Sequence, residues 1–241
     1  MGTMKRKFCC TSGESEFWTG VRDSVPLIVG VMPFGITCGI MALAAGLTSG
    51  ETLLMSMLVF AGAAQFIAIT MLGTGVSGWG LIVFTTLLIN LRHLLMGASL
   101  APYMIRLPFF LQALLSFGMV DETYAMVIDR IQKKGYNESY QLGANMAFYS
   151  SWVLATAVGV LLSGYISDPL AWGLDFAMPA VFLAMLIPRL VSPAALVVCG
   201  VAVVVTVMGV LYLPGKWYII IACIAAVVVG GAMEKRSTCA Q

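Results

Sequence analysis

Residues 193–213 read PAALVVCGVAVVVTVMGVLYL, a stretch from Pro193 to Leu213 without an Asp, Glu, Lys, Arg or His. A helix rises 1.5 Å per residue, so about 20 apolar residues cross the hydrocarbon of a bilayer, and this run has that length. Seven more apolar runs lie along the chain, at roughly 24–47, 52–72, 78–101, 108–128, 142–165, 170–188 and 216–233, with short polar turns between them. They are continuous rather than alternating, which selects helices over barrel strands. Hydrophobic residues make up 60% of the chain and charged residues 10%, against about 45–50% and about 25% in a typical soluble domain. The sequence therefore predicts an all-α, polytopic helical membrane protein of about eight transmembrane helices.

The runs divide the chain into an N-terminal tail, 1–22, a single transmembrane transport domain, 23–234, and a short C-terminal tail, 235–241. Basic residues set the orientation. With the N-terminus inside, Lys5, Arg6, Lys7, Arg22, Arg130, Lys133, Lys134, Arg189, Lys235 and Arg236 flank the inner ends. Only Arg106 and Lys216 flank the outer ends, and Arg92 falls within a span. That bias places both tails in the cytoplasm. The run 108–128 holds Asp121 and Glu122; if it does not cross, the count falls to seven and everything after it inverts. An internal repeat is also visible, Phe60–Ala68 resembling Phe176–Ala184, which would relate spans 1–3 to spans 5–7.

Several function classes drop out. A net charge of +2 with no basic patch argues against nucleic acid. The six cysteines form no C-x-x-C pair, and the 16 methionines form no paired motif with His or Cys, so no metal site is expected. Lys5-Arg6-Lys7 leads into polar residues 11–16 rather than an apolar stretch, unlike a signal peptide. There is no H-E-x-x-H, G-x-S-x-G or P-loop. The sequence thus predicts no cofactor and no enzyme.

What remains is polar chemistry inside apolar runs, where a charge costs about 2.5–3.5 kcal/mol at mid-span and must have a reason to be there. Asn90-Leu91-Arg92-His93 places three polar side chains on one sector of the third span, and His93 is the only histidine. Asp121 and Glu122 lie in the fourth span. Treated as an antiparallel hairpin turning near Pro102 and Pro108, spans three and four bring Arg92 within reach of Asp121. Two readings stand: a permanent structural ion pair, or a pair lining a cavity in which Arg92 attracts a carboxylate and an acid or His93 exchanges a proton. Gln65, within Gly62-Ala63-Ala64-Gln65, is either a ligand or interhelical glue. Pro33 with Gly35, Gly62 and Pro179 are candidate helix breaks lining the site, since interrupted helices offer free backbone groups at mid-depth. Gly35-x-x-x-Gly39 also permits close helix contact, within the chain or with a partner.

These elements, Phe60-Ala61-Gly62-Ala63-Ala64-Gln65-Phe66, Asn90-Leu91-Arg92-His93-Leu94-Leu95-Met96-Gly97 and Asp121-Glu122-Thr123-Tyr124-Ala125, resemble in order and spacing the AzlC/YgaZ family, the large subunits of bacterial branched-chain amino acid exporters. The resemblance covers roughly residues 20–235. It implies export of valine, leucine, isoleucine and methionine across the cytoplasmic membrane of a bacterium, beside a small four-span partner of the AzlD/YgaH type. An antiporter exchanging protons for amino acid fits the charged residues. The rival readings are an intramembrane enzyme built on His93, Asp121 and Glu122, and a non-transporting scaffold subunit of a membrane complex.

Overall fold

The computed structural model describes residues 13–75, 78–165, 192–212 and 218–238, together with 176, 180, 183, 186, 187 and 190. Among them the regular structure is helical, with no strand. The chain divides into two compact units, Met1–Asp175 and Phe176–Gln241. The first holds α1 (Gly13–Ala44), α2 (Ser49–Leu58), α3 (Gly62–Gly73), α4 (Trp79–Met104), α5 (Phe109–Phe117), α6 (Asp121–Lys134) and α7 (Glu138–Ser163). The second holds α8 (Pro193–Tyr212) and α9 (Tyr218–Thr238). Helices α1, α4, α7 and α8 are long and apolar enough to cross a membrane, so the helical membrane class read from the sequence stands. Helix α1 begins at Gly13, within the stretch expected to be a tail.

Helices α1 and α7 form the spine of the first unit. Glycines let their backbones touch. A Cβ on Gly143 would strike the Phe17 carbonyl, one on Gly20 the Tyr140 carbonyl, one on Gly39 the Thr156 carbonyl and one on Gly159 the Ile36 carbonyl. A Cβ on Gly35 would lie 2.6 Å from the Ala155 Cβ. Residue numbers rise together along both helices in this series, so the two run parallel. The small residues at Gly35 and Gly39 thus serve contact within the chain.

The runs 52–72 and 108–128, expected to cross as single helices, instead fold back on themselves. Helix α2 starts just after the end of α1, with Thr48 and Glu51 capping each other: the Thr48 N–H donates to Glu51 Oε2 at 2.8 Å and the Glu51 N–H to Thr48 Oγ1 at 3.3 Å. It runs toward the middle of α7, where the chain reverses at Val59–Ala61, and α3 returns. At the far end of α3 a Cβ on Gly73 would sit 3.3 Å from the Ala45 Cβ, beside the C-terminus of α1. Helix α4 then runs the length of the unit in the opposite sense to α1. Its last turn meets the opposite end, the Tyr103 and Tyr136 rings lying 6.0 Å apart.

The second hairpin enters from that opposite end. Helix α5 climbs along α7, reversal occurs at Gly118–Val120, and α6 descends to Lys134. Its base is fastened by charge. Arg130 pairs with Glu16 of α1 and lies 4.5 Å over the Tyr140 ring, whose hydroxyl donates to Asp23 at 3.1 Å. Burial pushes the Tyr136 phenol well above its ordinary pKa, helped by the charge of Glu138, so it stays a donor to Gln141 Oε1 at 2.9 Å. A long helix followed by a hairpin, α1 with α2–α3, therefore recurs upside down as α4 with α5–α6. The turn holding Arg106, expected on the outer side, lies at the same end as Lys133 and Lys134. The repeat read between spans 1–3 and 5–7 cannot be followed, because most of 176–184 lies outside the described residues. In the second unit α8 and α9 pack antiparallel, Gly209 against Tyr218 and Gly230 near Val198.

Two outcomes follow from this geometry. Single cysteines replacing Arg106 and Lys134, in a cysteine-free background, are expected to be labelled from the same face of the membrane and one replacing Thr74 from the other. Labelling of 106 and 134 from opposite faces would mean that 108–128 crosses. Replacing Gly143 or Gly159 with Val forces α1 from α7 and is expected to cost about 1–3 kcal/mol, the usual range for overpacking, read as a lower melting temperature of the purified chain.

Candidate functional site

A helical hairpin that stops halfway through a unit leaves backbone carbonyls and N–H groups unpaired at its tip, where no water replaces them. Both tips are completed by α7. The Tyr149 hydroxyl donates to the Met57 carbonyl at 3.1 Å, in the last turn of α2. One turn away, Asn145 Nδ2 donates to the Leu115 carbonyl at 2.8 Å, in the last turn of α5. Gly118 leaves room for this, since a Cβ there would lie 2.8 Å from the Asn145 Cβ. At the start of α6 the Val120 N–H donates to Thr123 Oγ1 at 2.9 Å.

Gln65, in the first turn of α3, closes a buried network. Trp152 Nε1 donates to Gln65 Oε1 at 3.0 Å, and Gln65 Nε2 donates to Ser56 Oγ at 3.0 Å. Ser56 Oγ donates in turn to Thr156 Oγ1 at 3.1 Å. The network ties both arms of the α2–α3 hairpin to α7, each bond contributing about 0.5–1.5 kcal/mol. Both ends of the Gln65 amide are engaged in it.

The charged centre lies at the other tip. Arg92 stands 13 residues into α4, about 20 Å from its start and half way along it. Its Nη1 donates to Asp121 Oδ2 at 2.6 Å, with 29% of the Arg92 side chain and 10% of the Asp121 side chain exposed. The sequence led to this pair through an antiparallel hairpin of two full spans. The structure forms it differently: α5 retraces the path of α4, and α6 then runs parallel to α4, as the Tyr124 hydroxyl bonded to Ser99 Oγ at 3.0 Å also records. His93 lies within electrostatic reach of both Arg92 and Asp121. Arg92 Nε and Asn90 Oδ1 are buried without a hydrogen-bond partner among the described residues. This turn of α4 therefore holds a donor and an acceptor in reserve beside an ion pair and a histidine. Glu122 follows Asp121 in the first turn of α6, half-buried.

Arg92, His93, Asp121, Asn90 and Glu122 thus lie along one stretch of α4 and the α6 tip, while Gln65 stands apart in its own network. The expected helix breaks fall elsewhere. Helix α1 continues through Pro33, with the Thr37 hydroxyl donating to the Pro33 carbonyl at 2.9 Å, and Gly35 and Gly62 pack against α7 at Ala155 and Trp152. The reversals occur at 59–61 and 118–120 instead. Pro179 lies outside the described residues. Sequence reading passed over Asn145, Tyr149, Trp152 and Thr156. Their signal was a polar stripe at helical spacing, four, three and four residues apart, inside a run whose average hydropathy hid it.

The two tips meet at α7. Phe60, in the reversal of the first hairpin, lies with its ring centroid 6.4 Å from that of Phe117, in the last turn of α5. Tyr149 packs beside both, 5.1 Å from Phe60 and 6.1 Å from Phe117. Phe60 has φ +42°, the one non-glycine residue with positive φ among those described. A bulky side chain adopts that conformation only at a cost, so its surroundings must hold it there.

Comparison with known proteins places this chain in a lineage. The chain is 32% identical to the inner membrane protein YgaZ of Escherichia coli (strain K12), over 73% of this chain and 74% of the relative. It is 32% identical to an uncharacterized membrane protein of Archaeoglobus fulgidus, over 74% and 78% of the two chains. It is 28% identical to the branched-chain amino acid transport protein AzlC of Bacillus subtilis (strain 168), over 73% and 70%. No solved structure matches. The profile described as AzlC protein covers residues 26–166, a span that takes in both hairpins, Arg92 and Asp121. The chain belongs to the AzlC family of membrane proteins.

Proposed function

We propose that this protein exports branched-chain amino acids, and methionine with them, across the bacterial cytoplasmic membrane in exchange for protons. The observation that carries the proposal is the Arg92–Asp121 pair, held with His93 at mid-depth where a hairpin tip meets a spanning helix. The printed name of the Bacillus subtilis relative, a branched-chain amino acid transport protein, supports the substrate class. A zwitterion needs a cation for its carboxylate and an acid for its ammonium, and Arg92 with Asp121 or Glu122 offers both. Asn90 and the spare Arg92 Nε supply further polar contacts. His93 is the side chain whose ordinary pKa allows a proton to be taken up or released near neutrality. In this reading the site serves passage rather than bond-making, and the printed name of the Bacillus subtilis relative supports that choice over an intramembrane enzyme.

Two hairpins entering from opposite ends suggest how the site alternates. Parting of α2–α3 from α7 would open it to one side, and parting of α5–α6 to the other, the pattern that inverted repeats give transporters in general. Arg22, Arg106, Arg130, Lys133 and Lys134 all lie at the end of the first unit that carries the α1 N-terminus, which favours that end for the cytoplasm. In this reading residues 23–234 act as one transport domain with both tails inside. A small four-span membrane subunit completes the exporter.

Efflux of labelled leucine from vesicles tests the whole scheme. Efflux is expected with both subunits present and a pH gradient imposed, and to fall to background with this chain alone. Gradient-independent efflux would remove the proton, and full efflux without the second subunit would remove the partner. Arg92→Ala is expected to abolish efflux and to destabilise the chain by roughly 1–3 kcal/mol, since it strips a buried carboxylate of its guanidinium. The double change Arg92→Met with Asp121→Leu is expected to fold, because apolar replacement of a buried pair is often tolerated, yet not to transport. A double variant that transports would make the pair structural only.

A further inference from the structure

We infer that Phe60, Phe117 and Tyr149 form the wall that reads the aliphatic tail of the substrate, and so set which amino acids are accepted. The inference rests on the transport reading above and names its specificity residues. Three features carry it.

The first is position. Phe117 is the last residue of α5 and Asp121 the first of α6, so the ring and the carboxylate flank the same three-residue reversal, Gly118–Val120. An amino acid whose ammonium meets Asp121 has its tail within a few ångströms of that tip, because the α-carbon bears both the ammonium and the side chain. The second is rigidity. The Tyr149 ring is fixed by its hydroxyl bond to the Met57 carbonyl, and Phe60 is buried, at 4% exposure. Ring separations of 5.1 to 6.4 Å are those of aromatic side chains in direct contact. A surface that discriminates tails by size must not yield to them. The third is an open edge. Phe117 remains 47% exposed although the tip that carries it lies at mid-depth between α4 and α7. Its uncovered face is apolar and lies at the tip that carries Asp121, so a tail can meet it there.

The chemistry required of such a site is a few placed polar groups against an apolar lining. Leucine and valine differ by one methylene, and a hydrophobic pocket distinguishes one methylene by about 10–200-fold. The rings are also the contact between the two hairpin tips, so a tail pressed against Phe117 bears on the first tip through the Phe60 ring behind it.

The test reads binding without transport. The full chain, purified in detergent with the small membrane subunit, is titrated with leucine, valine, alanine and glycine, and the concentration giving half of the rise in melting temperature is recorded for each. The wild type is expected to take leucine in preference to alanine and glycine. Phe117→Ala is expected to weaken leucine about tenfold and to leave glycine within twofold, narrowing the preference. Phe117→Leu is expected to keep most of the leucine affinity, and it guards against loss of the fold by keeping an apolar side chain at the tip. Equal weakening of all four ligands by Phe117→Ala would make the rings a structural contact and overturn the inference, as would an unchanged series. A wild-type chain stabilised by none of the four would instead strike the transport reading itself, so the two failures are told apart.

Discussion

Backbone amides must be paired where water cannot reach, and that need shapes both hairpin tips of the first unit. A helix satisfies its own groups over its length but not at its ends. Two hairpins that stop midway therefore create four helix ends in the worst place. Helix α7 answers with side chains one turn apart: Tyr149 for the Met57 carbonyl and Asn145 for the Leu115 carbonyl. Trp152 and Thr156 hold Gln65 and Ser56 against the same helix. Because α7 serves both tips, it brings them together, and the aromatic cluster is a consequence of that meeting.

The close approach of α1 to α7 has a matching role. Without large side chains between them, the backbones of Phe17, Ile36, Tyr140 and Thr156 come into contact with the glycines opposite. Among apolar helices in lipid, packing of this kind substitutes for the hydrophobic effect that water would provide. A rigid pair of parallel helices gives the hairpins a fixed surface on which to seat. The second fastening is ionic and lies at one end only of what is described: Arg130 with Glu16, backed by Tyr140 and Asp23.

Much of this was legible in the sequence and some was not, for identifiable reasons. Composition and the uncharged run at 193–213 settled the helical membrane class. The cost of a buried charge singled out Arg92 and Asp121, and they do pair, but hydropathy alone could not say that 108–128 turns back. Local signals for that turn were present: Gly118, then Asp121-Glu122-Thr123 to start a helix and Lys133-Lys134 to end it. Thr48 and Glu51 likewise marked the start of α2. An average over a long apolar window conceals such short-range evidence. The reversal at Phe60 had no local signal, since a bulky aromatic in a left-handed conformation runs against propensity and is imposed by its tertiary contacts. Pro33 misled in the other sense, for α1 carries it without interruption. The polar stripe on α7 from Asn145 to Thr156 was readable by helical spacing but meaningless until the hairpins showed what it pairs with.

If the chain exports amino acids as proposed, the two hairpin tips that meet against α7 must part for one to pass. Replacing Phe60 and Phe117 together by cysteine, in a chain without other cysteines, puts a thiol on each tip in place of the facing rings. A reducible bifunctional thiol reagent applied to membranes is predicted to join them within one chain and to stop leucine efflux, and a reductant to restore it. Thiols that never join, or joined tips that carry leucine as fast as free ones, would mean that the tips do not meet and part in this way.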